Sequence, residues 1–258
     1  MVRPPIISVL LSLRHNSLSY HQQRSLLMLK SVSNDGSSSS LDSMTSPPKR
    51  IFCYGDSLTA GTAPPLDGLN PYGPSLEKEL GDDVVVRWRG LPGWTATTMI
   101  EYLDDGNVGL RSAVNGIDNP PLSLVIILAG TNDIGFLTSS ISVGEPDVDV
   151  CVKPVLNLHK ACLECNKQIR TLAVGIPGSA WQEMNVAASK LATDMNSSIK
   201  DFAQQTHPAG SVTYTNFPFA YEKNNDLWSS DGLHLSPKGY EQLGRGLAPV
   251  VRDILKGS

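Results

Sequence analysis

The chain has 258 residues, of which 40% are apolar and 18% charged, with a formal net charge of −4 and an isoelectric point of about 5.7. This length is enough for one α/β domain with a sizeable core. The acidic balance argues against a nucleic-acid partner, and the longest apolar run beyond residue 48, "LSLVIILAG", is far too short to span a bilayer.

The first 48 residues differ in composition from the rest of the chain. They are rich in serine, their basic residues lie among short apolar clusters, and no acidic residue precedes Asp35. This composition is typical of an organellar transit peptide followed by a linker, which favours a mitochondrion or plastid over the cytoplasm. A secretory signal is less favoured because the apolar run "IISVLLSL" is short and no small-residue cleavage site follows. An unstructured tail, or an extension ahead of a start at Met44, is the alternative. We therefore predict a leader over residues 1–48 and one folded domain over residues 49–258.

Strand and helix patterns alternate from residue 50 onward. In chain order, the predicted elements are strand "RIFCYG", helix "GPSLEKEL", strand "VVVRW", helix "TATTMIEYLDDG" capped by Thr95, strand "LSLVIILAG", a long helix with Pro154 in its first turn, strand "TLAVGIPG", helix "VAASKLATDMNSSIKDFAQQT", strand "SVTYTNF" and helix "SPKGYEQLGRGLAPVVRDIL". This alternation predicts an α/β fold in which helices cover both faces of a parallel sheet. In such sheets the functional residues gather at the carboxyl ends of the strands.

The four cysteines raise the question of a metal or redox site. The pair "CLEC" has a suitable spacing, and Cys151 and His159 are further candidate ligands. However, Cys162 and Cys165 recur with apolar residues at three- to four-residue steps along the predicted long helix. We therefore predict that these cysteines and Cys53 are buried, reduced thiols that pack as small hydrophobic groups, and we predict no metal site.

Three polar clusters follow predicted strands. "YGDSLTAG", which contains Ser57, follows the first strand, "AGTND" follows the third, and "DGLH" lies between the last strand and the last helix. Because the carboxyl ends of parallel strands meet at one edge of a sheet, we expect these three clusters to converge there.

The clusters contain the groups that acyl transfer to a serine requires. A serine hydroxyl needs a base, that base needs an orienting group, and the developing oxyanion needs donors. Among the three histidines of the domain, His234 alone has a carboxylate three residues before it, at Asp231. The alternatives without catalysis are that Ser57 caps a helix and that Asp231 forms a turn. Asp226 is a weaker candidate for the orienting acid.

"GDSL" at residues 55–58, "GTND" at residues 130–133 and "DGLH" at residues 231–234 together resemble the SGNH superfamily of GDSL esterases and lipases. The resemblance extends from about residue 50 to the C-terminus. It implies a flavodoxin-like three-layer α/β/α sandwich, with Ser57 as nucleophile, His234 as general base and Asp231 as its orienting acid. The α/β-hydrolase signature G-x-S-x-G is absent from the sequence.

The same resemblance implies an oxyanion hole formed by the backbone N–H groups of Ser57 and Gly93 and the side-chain amide of Asn132. The pattern glycine, any residue, threonine places the family's second motif at Gly93 rather than Gly90. Trp94 stands where family members often carry a small or acidic residue, so it is expected to reshape the acyl side of the site. Asn132 could instead be a turn residue or a helix cap.

Other residues near the motifs have alternative roles. Asp56 is a candidate substrate contact, although Asp56 and Asp133 are better explained as hydrogen-bonding residues that fix loops. Trp94, Trp181 and Trp228 either line a substrate groove or close the core at loop bases. The irregular segment over residues 136–152 could cover the site.

The sequence therefore predicts a serine esterase that forms an acyl-serine intermediate without a metal or organic cofactor. Its expected partner is a small-molecule, glycan or lipid ester, with short-chain or acetyl esters favoured because no amphipathic lid is apparent. The family also contains lipases, thioesterases, lysophospholipases, arylesterases and carbohydrate acetylesterases. Acyl transfer to another acceptor, or hydrolysis of lipid or thioester substrates, is the alternative at the same site. A catalytically inactive ligand-binding protein is the alternative from another class.

Overall fold

The computed structural model describes residues 47–116, 121–139 and 146–257. Nearly all of the predicted leader lies outside these residues. Pro47–Ser258 form one compact unit. Within the described residues, no helix has the length and apolar character needed to cross a bilayer.

A five-stranded parallel sheet forms the centre of this unit. Its strand order is β2-β1-β3-β4-β5, and every neighbouring pair is parallel. This order is that of flavodoxin-like folds, in which the chain continues to opposite sides of the first strand and opens a crevice at the carboxyl edge. The strands are β1 (Lys49–Gly55), β2 (Val84–Gly90), β3 (Leu122–Leu128), β4 (Arg170–Val174) and β5 (Val212–Thr215).

Nine helices connect or follow these strands in the described residues. They are α1 (Ser57–Ala60), α2 (Gly73–Leu80), α3 (Ala96–Glu101), α4 (Leu110–Val114), α5 (Thr131–Thr138), α6 (Val148–Cys165), α7 (Ala180–Met184), α8 (Val186–Gln205) and α9 (Pro237–Lys256).

The sheet divides the hydrophobic core into two layers because side chains alternate along each strand. In β1, Ile51 and Cys53 belong to the layer formed with α2 and α9. Phe52 and Tyr54 belong to the layer formed with α3, α4, α6 and α8. Each face of the sheet thus carries its own hydrophobic cluster beneath a layer of helices, so the predicted three-layer α/β/α sandwich is confirmed.

Several boundaries differ from the sequence prediction. The long helix begins at Val148, so Pro154 lies inside α6 rather than in its first turn. The helix begins earlier because Asp147 caps it: the Asp147 carboxylate accepts the Asp149 N–H at 2.9 Å. The segment over residues 136–152 was predicted to be irregular, but both of its ends are helical. Residues 136–138 belong to α5 and residues 148–152 to α6. Thr95 caps α3 as predicted, accepting the Thr98 N–H at 3.1 Å.

Two basic side chains hold the end of α9 at the amino edge of the sheet. Lys49, the first residue of β1, donates to the carbonyl of Leu255. Arg170, the first residue of β4, donates to the carbonyls of Ile254 at 2.6 Å and of Gly257. The carbonyls at a helix C-terminus lack partners within the helix, so these cations satisfy them and complement the helix dipole.

Candidate active site

The nucleophile candidate lies at the carboxyl end of the central strand. Ser57 is the first residue of α1, two residues after β1 ends at Gly55. A Cβ on Gly55 would lie 2.0 Å from the Leu128 carbonyl oxygen, so only glycine allows β1 to pass this close to β3 as it turns. The Asp56 carboxylate caps α1 by accepting the Leu58 N–H at 2.9 Å. Ser57 is 7% exposed and therefore nearly buried at the carboxyl edge of the sheet.

Serine, imidazole and carboxylate form one hydrogen-bonded chain. His234 Nε2 lies 2.9 Å from Ser57 Oγ, and His234 Nδ1 lies 2.6 Å from an oxygen of Asp231. His234 is 7% exposed. The three side chains, predicted from two motifs far apart in the sequence, therefore meet within hydrogen-bond reach.

The turn that carries His234 and Asp231 is fixed by backbone hydrogen bonds. The second Asp231 oxygen accepts the N–H groups of Leu233 and His234, both at 3.0 Å. Gly232 has φ +66°, and a Cβ there would lie 2.6 Å from the Ala180 side chain, so glycine is required. The Gly232 carbonyl accepts the Ala180 N–H at 2.8 Å, which attaches this turn to the start of α7.

The Asp231 carboxylate is stabilised in its charged form. Burial opposes its ionisation, but the hydrogen bond and charge of His234 and the two backbone N–H groups outweigh burial and lower the pKa of Asp231 below its usual value. The carboxylate is thus held as the hydrogen-bond acceptor that a protonated imidazole requires.

The three predicted oxyanion donors follow β1, β2 and β3, with Ser57 at the start of α1, Gly93 in the loop after β2 and Asn132 in α5. Within the described residues, the N–H groups of Ser57 and Gly93 donate to no protein acceptor. Gly93 has φ +79°, which turns the loop after β2. Asn132 is in the first turn of α5, and its Nδ2 donates to the Trp94 carbonyl at 2.9 Å, which leaves its second amide hydrogen available.

Gly90 has a packing role instead. It is the last residue of β2, and a Cβ there would lie 2.0 Å from the Ala60 nitrogen. Sequence reasoning did not foresee the Trp94 carbonyl as the group that orients Asn132. A backbone acceptor leaves no residue-type signal, and only the coordinates locate it.

The two acids beside the motifs are interior residues. Asp56 is fully buried and its side chain caps α1, whereas the expected substrate contact of Asp56 stays a prediction. Burial raises the pKa of Asp56 to about 7. Asp133 is also buried, and burial raises its pKa to about 6. Asp133 accepts the Ala96 N–H at 2.9 Å, which joins α5 to α3 and holds the Asn132 and Gly93 loops together.

The rival residues lie elsewhere. The Asp226 carboxylate pairs with Lys238 at 2.5 Å. Trp228 is 7% exposed and packs in the core, with its ring centroid 5.0 Å from that of Tyr221, so it closes the core at a loop base. Trp94 is partly buried, with its ring centroid 5.1 Å from that of Tyr102.

The candidate metal ligands are separated from this site. His159 is fully buried in α6, its Nδ1 lies 2.9 Å from Thr171 Oγ1, and burial lowers the pKa of His159 to about 3. The four cysteines are free thiols, and burial raises the pKa of Cys53 to about 12. In the part of the chain that the structure describes, no group of three or more His, Cys, Asp or Glu residues could hold a metal ion.

Comparisons with known proteins agree with the fold. The model of the GDSL-like lipase/acylhydrolase family matches residues 53–242. A carbohydrate acetylesterase, Est24, from Sinorhizobium meliloti is similar in structure, with a TM-score of 0.61, 21% identity, and coverage of 80% of this chain and 99% of that chain. A putative arylesterase from Agrobacterium tumefaciens str. C58 has a TM-score of 0.57, 24% identity and the same coverage. The aryl esterase of M. smegmatis has a TM-score of 0.56, 22% identity and again 80% and 99% coverage. No curated protein matched the sequence.

Proposed function

The chain belongs to the GDSL-like lipase/acylhydrolase family and is a hydrolase of ester bonds, and we propose that it acts through a Ser57–His234–Asp231 triad on carboxylic esters with short acyl groups. The observation that carries the triad is the pair of hydrogen bonds through His234, 2.9 Å to Ser57 Oγ and 2.6 Å to Asp231.

In the first step, Ser57 Oγ attacks the ester carbonyl carbon while His234 Nε2 takes the hydroxyl proton. The carbonyl oxygen becomes an oxyanion, and it accepts hydrogen bonds from the N–H groups of Ser57 and Gly93 and from Asn132 Nδ2. Asp231 holds the imidazole through Nδ1 and stabilises the positive charge that His234 gains.

In the second step, the carbon–oxygen bond to the alcohol breaks, and His234 returns its proton to the departing alkoxide. The product is an acyl-Ser57 ester and a free alcohol. Water then attacks this ester as His234 removes its proton, and collapse of the second tetrahedral intermediate restores the Ser57 hydroxyl and releases the carboxylic acid.

Apart from the water that hydrolyses the acyl-enzyme, the residues of the chain supply every group that these steps use: the Ser57 nucleophile, the His234 base and the oxyanion donors. Short acyl groups are proposed because the long amphipathic helices among the described residues, α6, α8 and α9, bury their apolar faces in the core and so do not offer them to a lipid interface. The neighbours described as a carbohydrate acetylesterase and as aryl esterases are compatible with this proposal.

A panel of p-nitrophenyl esters of increasing acyl length tests the proposal. We expect kcat/KM to be highest for the acetate or butyrate and to fall for longer acyl groups. A fluorophosphonate probe should attach to Ser57 in the wild type. Turnover that increases up to long acyl groups would contradict the short-acyl assignment, and a protein that neither hydrolyses these esters nor reacts with the probe would be an inactive member of the family.

A further inference from the structure

The loop that follows β4 is buried although it contains no regular secondary structure. This β4 loop comprises residues 175–179, and Ile176 and Ser179 within it are each 4% exposed. Buried loops are uncommon because their backbone polar groups need partners other than water. The β4 loop starts at the carboxyl edge of the sheet, where the candidate active site lies. The groups that hold this loop in place therefore bear on the geometry of that site.

The side chain of Asn196 pairs with the backbone of the β4 loop much as a neighbouring strand would. Asn196 Oδ1 accepts the Ile176 N–H at 2.8 Å, and Asn196 Nδ2 donates to the Ile176 carbonyl at 3.0 Å. Asn196 lies in the middle of α8, where asparagine favours the helix less than alanine does. Because the amide bonds both backbone groups of one residue, it fixes the position of Ile176.

Through Ile176, the β4 loop contacts the oxyanion side of the site. A Cβ on Gly130 would lie 2.7 Å from Ile176 Cδ1 and 3.1 Å from Met195 Cε, so both side chains pack closely against the backbone of Gly130. Gly130 precedes α5 as its N-cap residue and lies two positions before Asn132. The Ile176 side chain thus supports the backbone that leads into the predicted oxyanion donor.

At its other end, the β4 loop leads directly into a contact with the turn that carries His234. Ala180, the first residue of α7, donates its N–H to the Gly232 carbonyl at 2.8 Å. A Cβ on Gly232 would lie 2.6 Å from Ala180 Cβ, so the two backbones are closely packed. Gly232 lies between Asp231 and His234 in the sequence. The β4 loop therefore joins the support of the oxyanion donor to the support of the base.

We propose that Asn196 is a positioning residue for ester hydrolysis, which holds the β4 loop and thereby keeps Asn132 and His234 at a fixed separation. The inference rests on the proposed function. Without the Asn196 amide, the buried N–H and carbonyl of Ile176 lose their partners, and the loop must shift to satisfy them. The reaction is sensitive to such a shift, because a misplacement of about 1 Å can cost about 10²-fold in rate.

Asn196→Ala removes both hydrogen bonds to the β4 loop, while alanine favours the α8 helix. We expect kcat for p-nitrophenyl acetate to fall on the order of 10-fold or more, with a much smaller change in KM. The resonance of the proton between His234 Nδ1 and Asp231 should also shift in the ¹H NMR spectrum of the folded variant. A loss of stability alone would not move this resonance.

Ala180→Pro tests the contact with the His234 turn by itself. Proline suits the first position of a helix, where the N–H has no partner within the helix. Ser179 already has the extended backbone that a following proline requires, with φ −155° and ψ 164°. The substitution therefore removes mainly the hydrogen bond to the Gly232 carbonyl. We expect a lower kcat and a shifted His234–Asp231 proton resonance, as in Asn196→Ala.

Arg170→Met is the matched control, because it also removes two hydrogen bonds from a side chain to backbone carbonyls, at the opposite edge of the sheet. It should lower the melting temperature and leave kcat and the proton resonance at their wild-type values.

A wild-type kcat or an unshifted resonance in either Asn196→Ala or Ala180→Pro, or equal losses of kcat in Arg170→Met, would overturn the role of Asn196 while ester hydrolysis still stands. If Asn196→Ala does not fold, the same two measurements on Ala180→Pro decide. A wild type that neither hydrolyses p-nitrophenyl acetate nor reacts with the fluorophosphonate probe would contradict the proposed function, and the role of Asn196 with it.

Discussion

His234 Nε2 lies 2.9 Å from Ser57 Oγ although the two residues are 177 positions apart in the sequence. The contact exists because one residue follows β1 and the other precedes α9, so both loops reach the same edge of the parallel sheet. Each of the predictions for activity tests a group that this edge brings together.

Ser57→Ala should abolish ester hydrolysis while the protein remains folded. Removing the hydroxyl removes the nucleophile, and in serine hydrolases such losses are on the order of 10⁴-fold or more in kcat. Circular dichroism and p-nitrophenyl acetate turnover check the fold and the activity. Ser112→Ala, at a partly buried serine in α4, is the control and should retain wild-type turnover. Comparable turnover in Ser57→Ala would show that another residue is the nucleophile.

Asp231→Asn should lower kcat strongly, and Asp226→Asn should not. The Asp231 carboxylate accepts a hydrogen bond from the His234 imidazole and orients the ring, and the equivalent loss in serine proteases is about 10⁴-fold. Asp226 pairs with Lys238 at the surface, where an ion pair contributes little. Steady-state kinetics of the two variants decide between the acids. Equal losses in both variants would refute the assignment of Asp231.

Asn132→Ala should lower kcat about 10²- to 10³-fold, as loss of one oxyanion donor does. KM should change much less, because the amide acts mainly on charge that develops in the transition state. Asn157→Ala, an exposed asparagine on α6, controls for the substitution itself. A larger KM with an unchanged kcat would instead assign Asn132 to substrate binding.

His159 should make the domain less stable in acid. Burial lowers its pKa to about 3 in the folded protein, whereas an unfolded histidine titrates near 6.5. As the pH falls, the unfolded state therefore binds a proton at His159 before the folded state does. The free energy of unfolding decreases as the pH falls below about 6.5. Between pH 6.5 and 5 this amounts to roughly 2 kcal/mol.

Urea unfolding at pH 7.5 and pH 5 measures this effect on the free energy of unfolding. His159→Gln should show a smaller decrease between the two pH values than the wild type. His207→Gln, at an exposed turn position, should follow the wild type. An identical pH dependence in His159→Gln and the wild type would show that folding does not lower the pKa of His159.

Much of the fold was predictable because its signals are local or follow from topology. Apolar runs and caps such as Thr95 located most elements, and the rule that functional residues follow parallel strands brought Ser57, Asn132 and His234 to one edge. The family model and the structural comparisons confirm the SGNH-type fold. The roles of the site residues stay predictions until the variants are measured.

The sequence did not reveal how deeply the polar residues are buried or where the backbone acceptors lie. Asp56 reads as a polar residue beside the nucleophile, and only three-dimensional packing shows that it is fully buried. The start of α6 was misplaced because a proline is a strong helix-start signal, whereas the Asp147 cap earlier in the chain is a weak one. The carbonyl of Trp94 orients Asn132 without any sequence pattern.

The hydrogen bond from Lys49 to the Leu255 carbonyl brings the first strand and the last helix together. They meet at the amino edge of the sheet, and a strand of seven residues spans about 23 Å from there to the crevice. A short peptide that joins the first strand to the last helix would therefore give a circularly permuted domain whose new connection lies far from the catalytic residues. Attachment to a solid support at the same edge would likewise leave these residues accessible.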